Sequence, residues 1–399
     1  MIQLYTALTS EVDDADAAIR DIIEQLKPSE RLLKNSFGLV HFYYEYVDTG
    51  VYQALADALP FPLVGCATTA VGAGGRYGDL SLSVAMFTSD DVEFTICTHQ
   101  TVSLTDRNQL IEDVSGLLSG LCKDRQPKLV LSVLPLLTHF SGDDLVTAGG
   151  ALPVPVPLFG TIAYSAEATP ETNYVVCGGD VSSTQMVYVA FYGNVHPEFR
   201  IVTSLDHDET FGTDAVITDS DKSVLKTVNG MSAVEFLEKQ GILKAKEISK
   251  IETVIAAIPA IFTRADGTKI VRAFIGVADD APGCLFSAGN LETGAKLTFS
   301  CLDGPMTLES ARNMLTQLND AGECSFIAFS CAARSWSLGA QTLDEFKAIA
   351  DLSAQYEVQG APIQYCVSYA GGEICPTRNE SGALVNTLQN YTLIACSFR

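Results

Sequence analysis

The stretch that decides the fold is Phe37–Ser89. It reads FGLVHFYYEY (Phe37–Tyr46), VYQALADAL (Val51–Leu59), PLVGCATTAVG (Pro62–Gly72), a glycine-rich turn, and LSLSVAMFTS (Leu80–Ser89). β-Branched and aromatic runs indicate strands, and the Ala/Leu-rich segment between the first two indicates a helix. The order is therefore strand, helix, strand, turn, strand. The same order returns twice. Lys128–Gly193 holds KLVLSVLPLL, a stretch suited to a short helix at 142–150, VPLFGTIAYSAEA, a turn-rich segment at 169–183, and TQMVYVAFYG. Cys324–Phe398 holds CSFIAFSCAARS, a helix, APIQYCVSYAGGEI, a polar loop at 375–382, and NYTLIACSF. In each copy the middle strand begins after a proline and ends in an Ala/Gly-rich turn, which marks a duplicated unit.

A helix between two strands returns the second strand parallel to the first by a right-handed crossover. The last two strands of each unit, joined by a loop, are expected to pair as an antiparallel hairpin. The fold class is α/β (α+β-like), with mixed sheets covered by helices. These are built from repeated strand-helix-strand-strand units in two intimately packed domains, 1–205 and 206–399. The polar, acidic stretch Arg200–Ser223 separates them. Apolar stripes predict helices over Asp14–Lys27 and Arg107–Leu121. A third, Thr342–Tyr356, opens on a capping box of Thr342 and Glu345.

Of the 399 residues, 47% are hydrophobic and 18% charged, enough apolar material for a buried core. The net charge of −23 repels phosphate backbones and anionic lipids, so neither nucleic acid nor a membrane surface is an expected partner. The acidic N-terminus is no signal peptide, and the apolar run at 129–137 is too short to span a bilayer. A cytoplasmic protein is expected. Eleven cysteines show no Cys-x-x-Cys spacing, which fits reduced thiols used as small core residues.

Catalytic patterns are sparse. There is no G-x-S-x-G elbow, and GAGGRYG (Gly72–Gly78) fits a hairpin turn better than a phosphate loop. Ser330 and Cys331 end a strand, as a nucleophile would, yet no histidine lies in the C-terminal half. The histidines have no metal-ligand spacing. A single axial haem ligand needs no spacing, and His139 and His41 are the candidates for one.

The richest constellation is C-terminal. Arg334 follows one strand of the third unit, and Glu373 follows Gly371 and Gly372 at the end of its parallel neighbour. Both strand ends fall at the sheet edge where open sheets form pockets. There the two side chains either grip the carboxylate and ammonium of a zwitterion or pair with each other. With Arg334 three residues away and a helix start nearby, Cys331 is expected to be more readily alkylated than most of the cysteines, without turnover.

At these residues the chain resembles the FIST sensory family. PLVGCATTAVG resembles the N-terminal signature, VNGMSAVEFL (Val228–Leu237) the start of the C-terminal part, and FSCAARSW (Phe329–Trp336) the F-x-C-x-x-R motif. GGEICP (Gly371–Pro376) resembles the G-E-[IL]-x-P motif, and LQNYTLIACSF (Leu388–Phe398) the closing strand. Two departures stand out: Gln389 replaces a histidine before Asn390, and Phe159–Gly160–Thr161 stands where the family often has G-G-x-x-x-D. The resemblance implies a non-catalytic module that senses a small ligand, amino acids among them. It would signal to a separate protein such as a histidine kinase, and it needs no cofactor. A related branch senses nitric oxide through haem. The expected ligand-binding set is Arg334, Glu373, Cys331, Gly372, Asn390 and Tyr369, with Cys66 and Thr68 from the first unit. The alternative is an enzyme using Cys331 or Ser330.

Overall fold

A computed structural model describes residues 2–398, apart from 101–105, 137–139, 151, 153–154, 168, 206–209, 243–257, 266, 268, 278–282, 323–324, 359–360 and 379–381. The class is the expected mixed α/β one. Three of its sheets have six strands each, and each is organised around one repeat unit.

In the first unit, Asn35–Phe42 pairs in parallel with Leu63–Ala67, the two joined by a crossover containing helix Val51–Ala58. Leu129–Leu134 pairs likewise with Leu158–Ile162, and Ser325–Cys331 with Gln364–Ala370. The parallel strands of the first two units approach closely at a glycine. A Cβ on Gly65 would stand 1.7 Å from the Val40 carbonyl oxygen, and one on Gly160 1.9 Å from that of Ser132.

The expected hairpin between middle and last strands does not form. The last strand instead lies antiparallel beside the first strand, as in Leu82–Ser89 against Asn35–Phe42. The reason is that each stretch read as a turn is itself a short hairpin, and it leaves its own sheet. In GAGGRYG the chain reverses at Gly74 and Gly75, whose φ values of +55° and +84° suit residues without a Cβ. This hairpin, Val71–Gly78, joins the sheet of the third unit by pairing with Gln364–Ala370. The second unit sends Val175–Ser182 to the first, and the third sends Glu373–Gln389 to the second. The exchange is cyclic, so each sheet is completed by its neighbour.

The repeats also extend further upstream than their sequence pattern showed. Gln3–Thr9, Glu93–Gln100 and Pro197–Thr203 add an antiparallel edge strand to the three sheets in turn. Helices Ala15–Leu26, Arg107–Leu121 and Gly304–Asp320 precede the first parallel strand of each unit. Asp14 caps the first of these by accepting from the Ala17 N–H, and Asp106 and Asp303 cap the other two in the same way. The inner faces of the sheets share one core, with Phe37, Leu39, Phe87, Leu131, Val133, Phe191, Phe329 and Ile394 in contact. The helices cover the outer faces, as Ala18, Ile22 and Leu26 do on the first sheet.

The acidic stretch expected as a boundary carries structure. It holds the end of strand Pro197–Thr203 and, after residues outside the described set, strand Phe211–Asp221. The latter opens an insertion in the third unit that continues to Lys296–Phe299, with its own eight-stranded sheet and core. No described helix is long and apolar enough to cross a membrane.

Candidate functional site

Ser325–Cys331 and Gln364–Ala370 run in register to Cys331 opposite Ala370, so their carboxyl ends meet as the sequence suggested. Arg334 lies just beyond the first, on the short helix Ala332–Ser337, and Glu373 just beyond the second. Both side chains are fully buried. They do not form the mutual ion pair offered as one alternative. Arg334 Nε and Nη2 instead donate to Glu345 Oε1 at 3.0 and 2.6 Å, and Nη2 also donates to Ser310 Oγ and the Thr307 carbonyl.

This overturns the capping box. Helix Asp344–Gln355 begins without a side-chain cap, because the Glu345 carboxylate turns inward to Arg334 and to the Ser330 hydroxyl, which donates at 2.8 Å. A buried guanidinium needs a counter-charge more than a helix end needs a cap, since the cap contributes only about 1 kcal/mol. Ser330 is thereby committed to holding a carboxylate.

Glu373 has a different environment. Its Oε2 accepts from Thr392 Oγ1 at 2.9 Å, and the Cys331 thiol lies against the same carboxyl. Burial pushes the carboxyl well above the usual range, against the weaker opposing pull of Thr392 and Arg334. Cys331 also departs from expectation. Burial and the neighbouring Glu373 charge raise its thiol, outweighing Arg334, so it is not an activated thiolate. Two atoms of this region are buried without a partner: Arg334 Nη1 and Glu373 Oε1.

The other expected residues are distributed around this centre. Tyr369 stacks on Phe346 with ring centroids 4.4 Å apart and donates to the Thr342 carbonyl. Thr68 reaches across from the first unit to donate to the Tyr369 carbonyl. The Gly372 carbonyl accepts from Ile162 N–H at 3.1 Å, tying the second and third units. Asn390 Oδ1 accepts from Ala273 N–H of the insertion. Cys66 faces the common core on Leu63–Ala67 and is not gathered to Glu373 by any described contact.

Sequence reasoning missed Glu345 as a site residue, although its spacing from Ser330 and Arg334 was visible. It also missed the insertion. Ile261, Val271 and Ala273 pack on Cys331 and Tyr391. Buried Arg272 donates to both Asp143 carboxylate oxygens at 2.9 Å and to the Leu388 carbonyl. The insertion thus roofs the seam beside Glu373.

His139 lies outside the described residues. His41 is buried in the common core, edge-on to Phe329 at 5.5 Å, with neither ring nitrogen partnered. Burial holds it at about 3, so it is neutral. Haem does not fit at this position, because the packed sheets would have to part to admit a macrocycle. Among the described residues no cluster of three or more His, Cys, Asp or Glu is arranged to hold a metal ion.

The buried charged centre of the third unit lies beside contacts from the first two units and under a separate β-rich insertion, in a mixed α/β molecule. The FIST N domain model matches residues 36–231 and the FIST C domain model residues 233–376. The chain belongs to the FIST family, whose domains are sensory modules of signal transduction and not catalytic ones. No curated protein matches the chain.

Proposed function

We propose that the chain is a ligand-binding sensor that takes a small zwitterion of the amino-acid type at the Arg334–Glu373 centre and signals to a separate partner such as a histidine kinase. The observation that carries this is the pair of buried, unpartnered atoms of opposite character, Arg334 Nη1 and Glu373 Oε1. Leaving a buried polar atom unpaired costs about 1–3 kcal/mol, and native proteins keep few of them. An α-carboxylate supplies the acceptor that Nη1 lacks, and the positive charge of an α-ammonium favours the ionised form of the Glu373 carboxyl, whose Oε1 then accepts from it. Glu345 already balances the remainder of the guanidinium, so the site needs no further counter-ion. Turnover is not part of this reading, because Ser330 is engaged by Glu345 and burial keeps Cys331 protonated. The cell interior is the setting that suits an acidic chain with free cysteines.

The test is ligand-induced thermal stabilisation across an amino-acid panel. A ligand at 100 times its Kd stabilises by about 2.7 kcal/mol. Stabilisation by at least one amino acid, lost in Glu373→Gln with the unliganded Tm preserved, is the expected result. Stabilisation that survives Glu373→Gln overturns it.

A further inference from the structure

Glu373 belongs to a row of three side chains on one sheet face. It stands directly opposite Thr161 of Leu158–Ile162 on one side and Gln389 of Leu384–Gln389 on the other. Directly opposed residues of antiparallel strands share a face, with Cβ atoms about 4.5–5.5 Å apart. The cyclic exchange of hairpins supplies two internal controls. The same row is Cys66–Val175–Ser182 in the first sheet and Ser368–Val71–Gly78 in the third. The fold itself therefore accepts valine at the centre and a serine or glycine at the outer position. Only the row around Glu373 carries a carboxyl group, and only it carries a long amide.

The two flanking groups have hydrogen-bonding capacity to spare. The Thr161 hydroxyl makes only a long 3.4 Å contact to the neighbouring Ile162 carbonyl. Gln389 donates through Nε2 to Thr387 Oγ1 at 2.9 Å, which leaves its amide oxygen available. The insertion holds the residues on either side of Gln389. Arg272 Nη1 holds the Leu388 carbonyl at 2.9 Å, and Ala273 N–H holds Asn390 Oδ1. Side chains anchored in this way are suited to discrimination.

We propose that Thr161 and Gln389 are specificity-determining residues of the Glu373 site and select an amino acid whose side chain is small, uncharged and hydrogen-bonding. This rests on the reading that Glu373 receives the ligand's ammonium. Neither flank carries a charge to balance an acidic or basic side chain. Both flanks offer polar atoms that an aliphatic side chain would leave unpaired, and unpaired groups discriminate strongly.

The experiment is calorimetric titration of the full chain with serine, threonine, asparagine, glutamine, leucine, glutamate and lysine. It uses the wild type, Thr161→Val, Gln389→Leu, Gln389→Glu and Glu373→Gln. The wild type should prefer the uncharged polar members at least tenfold. Thr161→Val and Gln389→Leu should shift the polar-to-leucine affinity ratio at least tenfold towards leucine, and Gln389→Glu should recruit lysine. Gln389 is half-exposed, so its variants are expected to fold even if buried Thr161 tolerates no change. If Glu373→Gln removes all binding while both Gln389 variants keep the wild-type rank order, this proposal falls and the ammonium reading stands. If no amino acid binds the wild type, both fall.

Discussion

The first and third sheets bury Val175 and Val71 where the second buries Glu373, in the same row and opposite the same strand position. A parallel contrast runs through the first strand of each unit, where register makes His41, Val133 and Phe329 equivalent. Two of three copies solve each position with an apolar side chain, so neither ionisable residue is demanded by the fold. The two differ in their surroundings. Glu373 lies at a seam between units and insertion, with Thr392, Cys331 and Arg334 in range. His41 sits in the common core without a polar partner for either nitrogen. Burial alone therefore does not single out a site, and it is burial beside a second charged centre that supports reading Glu373 as part of one.

The comparison breaks most visibly at the ion pair that exists only in the third unit. Glu345→Ala strands Arg334 in the core, and loss of one partner of a buried pair costs about 3–5 kcal/mol. Chemical denaturation should register that loss. The double replacement Arg334→Met with Glu345→Leu should recover most of it, because well-packed apolar residues often replace a buried pair without penalty. If the single variant stays within about 1 kcal/mol of wild type, the pair is not the anchor described here.

His41 gives the next largest effect, through pH. The folded protein holds it neutral down to about 3, whereas an unfolded chain protonates it near 6.5. The unfolded state therefore binds more protons below 6.5. The stability His41 allows is intact above that pH and is lost as pH falls towards 3, at about 1.4 kcal/mol per pH unit. His41→Val, which copies Val133, should flatten that part of the stability–pH curve. An unchanged acid limb would show that other groups set it.

Much of the fold was legible because units repeat strand order and helix periodicity, and both survive in a single sequence. The hairpin exchange was not, because Val71–Gly78 and Val175–Ser182 are too short to read as strands and nothing local tells which sheet they join. The upstream strand and helix of each unit were missed as parts of the repeat, because in the third copy the insertion separates that strand from the helix. Arg334 and Glu373 were expected just beyond two neighbouring strand ends, and both lie there, buried. The partner of Arg334 was misread because Thr342 and Glu345 carry the spacing of a capping box, and only tertiary packing shows the carboxylate turned inward. The reactivity expected of Cys331 failed for a related reason. Sequence proximity to Arg334 says nothing of depth, and depth decides the thiol.

A smaller effect is expected at the clasp that holds the insertion over the seam. Arg272 is buried, with Asp143 paired to its guanidinium, and the Asn290 N–H also donates to Asp143 at 2.7 Å. Asp143 is partly exposed, so water takes up part of what its removal leaves unpaired, and the net loss is about the 1.5–3 kcal/mol of one hydrogen bond to a charged group. Asp143→Ala should lower stability by an amount in that range. It should also speed hydrogen exchange at Leu388–Asn390 and Lys269–Ala273, with little change at Asn35–Phe42. Equal acceleration across all three sheets would mean the clasp supports the whole ring and not the seam.

The smallest change in stability, and the sharpest form of the comparison, is expected from Glu373→Val. It makes the second sheet match its siblings. The substitution removes a carboxyl that burial disfavours when ionised, but it also takes the acceptor from Thr392. A lost hydrogen bond of about 1 kcal/mol is set against relief of a buried ionisable group. The net change at neutral pH should lie within about 1 kcal/mol of zero, and it becomes more favourable as pH rises. The sign follows from linkage. The folded pKa lies above that of the unfolded chain, so the native state keeps a proton that the unfolded state has released. Wild-type stability therefore declines as pH climbs from the ordinary glutamate range through the folded value, and Glu373→Val removes that decline. A variant as stable as wild type that no longer gains stability from ligand would separate what the fold needs from what the site does. A variant that fails to fold at any pH would instead make Glu373 a structural residue, and the equivalence with Val71 and Val175 would not extend to packing.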